Sequence, residues 1–244
     1  VQAQDEIAIE DGVCIGNVHV GGMTEDEAKT AVSSYVDSLM DTTFTLKGKS
    51  GSIEMTAADM GVTADVDTAV TEAMAVGRAG SLINRYKTTQ DLKKNKLVLD
   101  MHLSVDKQET AQKLYSNSGK LSVEAVDNGL KRENGEFVYV PGKEGVEVDI
   151  VNSVYAINDF LADGWDGSDN EIALVTEVVE PRGTEEELAE VKDLLGSYST
   201  DFSSSSPGRA KNVTTGCSKV DGTILYPGEE FELCSTVSPF TQEN

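Results

Sequence analysis

Apolar residues recur along this chain in two rhythms. Where they alternate with polar residues they predict strands; where they return every three or four positions they predict helices. Ile7 to Ile9 and Val13 to Val20 suit two short strands, split by Asp11-Gly12, and Gly21-Gly22 breaks the second. Ala28, Ala31, Val32, Tyr35 and Leu39 follow helical spacing behind Thr24-Glu25-Asp26-Glu27. That tetrapeptide is a capping box, so a helix is predicted over 25–39. Thr43 to Leu46 and Ser52 to Thr56 flank Gly48-Lys49-Ser50-Gly51 as a hairpin.

One pattern occurs twice. Gly145-Val146-Glu147-Val148-Asp149 runs into a helix predicted over 150–161, and Gly61-Val62-Thr63-Ala64-Asp65, 84 residues upstream, runs into one predicted over about 67–76. In each, a glycine releases the chain from a hairpin, a short apolar strand follows, and an aspartate stands where an N-cap belongs. The fold class predicted is therefore α+β, with two similar modules over residues 5–96 and 97–183. Each packs helices on a small, mostly antiparallel sheet. A third piece, 184–244, holds a helix, a link and a further segment.

The second module repeats the plan. Leu97, Leu99, Met101 and Leu103 alternate as one strand, with Val98, Asp100 and His102 on its other face. Asp106 caps a helix carrying Ala111, Leu114 and Tyr115. Val123 to Leu130 and Phe137 to Val140 read as strands around Asn134-Gly135, a pair suited to a type I′ turn. Ile172 to Val179 alternates as a strand, and Thr184 to Glu187 is a capping box opening a helix through Leu195. Ser199 to Arg209 reads as a flexible serine-rich link, Gly222 to Gly228 as strand then turn, and Phe231 to Cys234 as a strand. A piece this short cannot bury a core of its own.

Charge narrows the function classes. Lys and Arg total 20 against 43 Asp and Glu, a net charge of −23. This argues against nucleic acid, which needs clustered cations, and against docking on an anionic membrane surface. Solubility accounts for the acidity, and no acidic run has the spacing of a calcium loop. Only residues 81–96 concentrate positive charge, with Arg85, Lys87, Lys93, Lys94 and Lys96. They read as a polar connector, either simply solvated or in contact with an anion. No apolar run reaches the length of a membrane span. Val1-Gln2-Ala3-Gln4 looks like a chain trimmed of a signal peptide or N-terminal anchor, and the chain stops at Thr241-Gln242-Glu243-Asn244.

Candidate chemistry is sparse. His19 and His102 lack a second metal ligand, so no metal and no cofactor is predicted. Three cysteines exclude a fully paired monomer. Cys217 and Cys234 flank a predicted hairpin and could face each other in a disulfide; two isolated thiols are the alternative. Trp165, the single tryptophan, stands in the turn Gly164-Trp165-Asp166-Gly167. It reads as a plug at a core edge or as a stacking platform for a sugar ring.

The order of these pieces resembles the extracellular part of a VanW-family protein, the family named for vancomycin-resistance clusters. Asp11-Gly12-Val13-Cys14-Ile15-Gly16-Asn17-Val18-His19-Val20-Gly21-Gly22-Met23-Thr24-Glu25-Asp26-Glu27-Ala28 is similar to the opening of such ectodomains. Gly77-Arg78-Ala79-Gly80 through Asp149 resembles the peptidoglycan-binding module found before VanW domains and before some L,D-transpeptidase domains, here a region of about 72–180. Tyr198 to Phe202, Arg209, Asn212, Gly222, Pro227-Gly228-Glu229 and Phe231 resemble the start of the VanW domain itself. VanW domains continue with a glycine-rich segment holding a cysteine, and later a histidine. Cys217 and Cys234 lie in no such context, so no catalytic residue is carried over.

The resemblance implies a non-catalytic, extracytoplasmic module of a Gram-positive bacterium, in the wall or on the outer face of the cytoplasmic membrane. It would bind or abut peptidoglycan or its stem peptides and position a C-terminal VanW domain, with the full-length protein anchored in the membrane at its N-terminus. The residues selected for binding are Arg78, Arg85, Tyr86 and Trp165. Arginine grips a carboxylate in a bidentate way, and the aromatics stack on sugar faces. Each has a plainer reading: Arg78 as a charge at a helix C-terminus, the aromatics as packing. A ligand-free spacer and the front part of a wall-modifying enzyme are the alternatives.

Overall fold

The computed structural model describes residues 7–239. Val1-Gln2-Ala3-Gln4, expected from the sequence to be a trimmed start, residues 5 and 6 of the first expected module, and the last residues from Thr241 lie outside them. Strands β1 (Val13–Ile15) and β2 (Val18–His19) come first. Helix α1 (Glu25–Leu39) starts at the expected capping box: Glu27 accepts from the Thr24 N–H at 2.9 Å, and Thr24 Oγ1 accepts from the Glu27 N–H. The hairpin of β3 (Thr43–Lys47) and β4 (Ser52–Thr56) follows, then β5 (Thr63–Ala64) and α2 (Val66–Ala75). Next are α3 (Leu82–Leu92), β6 (Leu97–Leu99), β7 (Leu103–Ser104), α4 (Lys107–Ser116) and α5 (Ser118–Leu121). A second hairpin, β8 (Gly129–Glu133) and β9 (Glu136–Val140), precedes β10 (Gly145–Val148) and α6 (Ile150–Ala162). The chain continues with β11 (Glu171–Ala173), β12 (Thr176–Val179), α7 (Glu185–Leu188), α8 (Pro207–Val220) and α9 (Leu233–Val237). The class is α+β.

Asp65 and Asp149 do the same local work. Asp65 accepts from the Thr68 N–H at 3.0 Å and Asp149 from the Asn152 N–H at 2.9 Å, capping α2 and α6.

The chain divides into two compact units. Unit 1 takes the residues up to Val123 and Val146–Val178; unit 2 takes Glu124–Gly145 and the residues from Val179 on. In unit 1, β1 pairs antiparallel with β2 and parallel with β6, with Val13 opposite Leu97. β3 pairs antiparallel with β4 and parallel with β11, with Thr45 opposite Glu171. β5 pairs with β7, and β10 with β12. One apolar cluster runs through the unit, from Ile9 and Ile15 through Phe44, Leu46 and Met60 to Leu114, Leu121, Ile157 and Leu161. Burying a side chain of this size contributes about 1.5–3 kcal/mol. Both expected modules, 5–96 and 97–183, feed this one core, and the compact units cut across the expected boundaries.

Several expected elements differ. The connector 81–96 contains α3: Ser81 Oγ accepts from the Asn84 N–H, and Leu92 is buried at the far end. The strand expected over 97–103 breaks in the middle. Asp100 Oδ1 accepts from the His102 N–H at 2.7 Å, and His102 takes a left-handed φ of 54°. Only isolated bridges at Val123 and Val126 precede β8. The strand expected over 172–179 divides between two sheets, because buried Ser153 bonds both the N–H (2.9 Å) and the carbonyl (3.2 Å) of Val175.

In unit 2 the expected Asn134-Gly135 turn joins β8 to β9, with φ of 51° and 93°. The helix opened by Thr184 ends at Leu188, short of Leu195. Among the described residues of the C-terminal piece there is no strand beyond β12. Pro207, placed at the head of α8, has the φ a first helical turn requires, where a link was expected. Phe231 to Cys234 runs into α9 instead of forming a strand. Neither α8 nor α9 buries a side chain. Cys217 on α8 and Cys234 on α9 are exposed free thiols, so no disulfide joins them here, and Cys14 is free and buried.

Candidate functional site

Unit 1 carries a cleft of about 600 Å³. Four stretches build it: Gly16-Asn17 from the β1–β2 turn, Tyr35 and Leu39 from α1, Val98 to Met101 with Leu103 around the break between β6 and β7, and 161–166 from the end of α6 and the following turn. The floor is apolar, with Leu39, Met101, Leu103 and Leu161 buried. The rim is polar: Asn17, Asp100, Asp163 and Asp166 are all exposed.

Asn17 fixes the rim. Its Nδ2 donates to the Tyr35 hydroxyl at 3.0 Å and to the Asp166 carbonyl at 2.8 Å. A two-residue turn between β1 and β2 thereby holds both an aromatic of α1 and the distant tryptophan turn. Trp165 is half-buried. Its ring packs on Phe44 with centroids 5.1 Å apart, and its Nε1 donates to the Asp169 carbonyl at 2.7 Å and to Asn170 Oδ1 at 3.2 Å. It plugs the edge of the core and also lines the cleft. One turn on, the Ser168 hydroxyl and N–H hold the Asp166 carboxyl below its ordinary range. Asp166 is therefore ionised at neutral pH.

Among the described residues no lysine, arginine or histidine lines the cleft. The carboxylates in its lining are acceptors suited to hydroxyls, amide N–H groups and ammonium groups. Among the described residues no group of His, Cys, Asp and Glu is arranged to hold a metal ion.

The residues selected from the sequence do not gather there, Trp165 excepted. Arg78, just past α2, donates through Nη1 to the Met74 carbonyl and through Nη2 to the Ala8 carbonyl. Its guanidinium is engaged in satisfying a helix C-terminus and the incoming chain. Arg85 and Tyr86 are exposed neighbours on α3, and neither lines the cleft. Asn17, Tyr35, Asp100, Asp163 and Asp166 escaped selection. Asp163 and Asp166 bracket Trp165 in sequence, the one local signal for them. Tyr35 was hidden in the apolar stripe of α1.

Residues 53–166 match the model of a family described as "Putative peptidoglycan binding domain". The match overlaps the expected region of about 72–180 and takes in two of the four stretches that build the cleft, the one around the break between β6 and β7 and 161–166. No curated protein and no solved structure matches the chain.

Proposed function

We propose that unit 1 is a non-catalytic peptidoglycan-binding module that works outside the cytoplasm, and that its cleft receives a segment of the wall polymer. The family match over 53–166 carries this reading. The chemistry of the cleft supports it. Tyr35 and Trp165 offer ring surface for a sugar face. Asp100, Asp163 and Asp166 accept from glycan hydroxyls, acetamido N–H groups and the ammonium groups of stem peptides. As the resemblance of residues 198–231 implies, the module holds a C-terminal VanW-like domain in place at the wall of a Gram-positive bacterium. No helix among the described residues is long and apolar enough to cross a membrane.

A ligand-free spacer is the second reading. It is favoured by Arg78 and the indole N–H of Trp165, which are spent on the protein's own carbonyls. Sedimentation with purified insoluble peptidoglycan separates the two. The binding reading expects saturable retention that falls about fivefold or more in Asp100→Asn/Asp163→Asn, the loss of two charge-assisted contacts on an exposed rim. Retention no greater than that of an acidic control protein overturns it and leaves the spacer.

A further inference from the structure

Helix α3 is unlike the rest of unit 1. Its 11 residues make a rod about 16 Å long. Only Leu92, at the C-terminal end, is buried. The first two turns stand in solvent and carry large apolar side chains: Leu82 is 81% exposed, Ile83 68% and Tyr86 68%. Tyr86 lies four residues on from Leu82 and three on from Ile83, so it neighbours both and the three form one apolar face. An apolar face left in water costs free energy that packing on an apolar medium would recover.

The charge around that face is inverted relative to the chain. Residues 81–96 hold Arg85, Lys87, Lys93, Lys94 and Lys96 against the single carboxylate Asp91, in a protein of net charge −23. Elsewhere Lys29, Lys47, Lys113 and Lys131 sit on carboxylates within 3 Å. Among the described residues none of Arg85, Lys87, Lys93, Lys94 and Lys96 has an ion-pair partner, which is also true of Lys49, Lys107, Lys120 and Lys143; what sets 81–96 apart is the concentration of five cations beside one carboxylate. Lys93 continues the stripe of Leu82 and Tyr86, eleven and seven residues on, while Arg85 and Lys87 flank it.

The geometry points to α3 as a peripheral docking element for an anionic lipid surface. Leu82, Ile83 and Tyr86 enter the headgroup boundary, and the flanking lysines and arginine extend to lipid phosphates. This is the layout of an interfacial amphipathic helix. A soluble polyanion would engage the cations alone and leave the apolar face unexplained. The net acidity weighs against the chain as a whole approaching such a surface, but at physiological ionic strength charges more than about 8 Å away are largely screened. Nearer at hand, Glu10 accepts from the Thr89 hydroxyl of α3 at 3.5 Å, beyond the first two turns that carry the apolar face. Such docking is independent of the cleft and of peptidoglycan.

Vesicle co-sedimentation of the whole chain tests it, comparing equal parts phosphatidylglycerol and phosphatidylcholine with phosphatidylcholine alone. The expected result is partition onto the anionic vesicles only. It drops about tenfold or more in Leu82→Ser/Ile83→Ser/Tyr86→Ser and also in Lys93→Glu/Lys94→Glu/Lys96→Glu, a loss equivalent to one decade of affinity. All six positions are exposed, and an unchanged near-ultraviolet signal from Trp165 confirms that the core is intact. Partition lost in the charge variant but kept in the apolar variant overturns lipid insertion in favour of general polyanion contact. Absence of partition onto either vesicle overturns the inference outright.

Discussion

The Nδ2 of Asn17 donates to the carbonyl of Asp166 at 2.8 Å, across 149 residues of chain. The same amide donates to the Tyr35 hydroxyl at 3.0 Å, so one exposed side chain ties together three of the four stretches that build the cleft. Asn17→Ala removes both bonds. The expected cost is about 0.5–1.5 kcal/mol in total, the value of one bond and not two, because water replaces the lost partners at an exposed site. Urea unfolding reads the loss. The emission of Trp165, the only tryptophan, should shift toward that of a more hydrated indole. Unchanged stability and emission would show that the turn is held without Asn17.

Trp165 separates packing from hydrogen bonding. Trp165→Phe keeps a ring against Phe44 and loses the bonds to Asp169 and Asn170, a cost of about 1 kcal/mol. Trp165→Ala also loses the packing and costs about 2–3 kcal/mol, below the range for a fully buried tryptophan because this one is half-exposed. Peptidoglycan retention should survive the first substitution in large part and fail in the second. Equal retention in both would remove the ring from the binding site.

Acid should destabilise unit 1 in a defined window. The Lys113 ammonium, 2.9 Å away, and then the N–H and hydroxyl of Thr56 lower the Asp59 carboxyl to about 2. The backbone and hydroxyl of Thr68 lower Asp65, and the backbone and side chain of Asn152 lower Asp149. A depressed folded value means that the unfolded chain binds more protons as pH falls. The stabilisation is therefore complete above the ordinary Asp value of 3.8 and is lost as pH falls toward about 2. Thermal unfolding between pH 7 and pH 2 reads it. Asp59→Asn should be less stable than the parent at pH 7 and should converge on it toward pH 2. Parallel curves would contradict the assignment.

Gly142 cannot carry a side chain. A Cβ there would lie 1.9 Å from the Val126 carbonyl oxygen and 2.7 Å from the Asp127 carbonyl carbon, both backbone atoms. Gly142→Ala should open the bridge between Val126 and Lys143 and cost about 1–3 kcal/mol. Hydrogen exchange at the Val126 and Lys143 amides should rise. Retained protection would mean that the backbone shifts without penalty.

What the sequence disclosed was local. The capping box of Thr24 and Glu27, the caps at Asp65 and Asp149, and the Asn134-Gly135 turn each lie within a few residues, and each is present. The parallel pairings of Val13 with Leu97 and Thr45 with Glu171 join segments far apart, and no local pattern encodes them. They are what brings residues of both expected modules, up to Val123 and from Val146 to Val178, into one core. Helix α3 was hidden because its apolar residues face water and give no buried stripe. The strand over 97–103 had the right alternation, but the Asp100 carboxylate competes for the His102 N–H and turns the chain. Trp165, which lines the cleft, was legible as a candidate from its rarity and its turn. Asn17, Tyr35 and Asp100 were not, because only packing brings them beside it.

The most direct test of the cleft is an amide NMR titration of the isotope-labelled chain with soluble disaccharide-peptide fragments released from peptidoglycan. Binding at the cleft predicts saturable shifts concentrated at Asn17, Asp100 and Asp163–Asp166 and at the Trp165 indole N–H, with α3 unmoved. No shifts at saturating fragment, or shifts that gather on α3 while the cleft stays silent, would contradict the account.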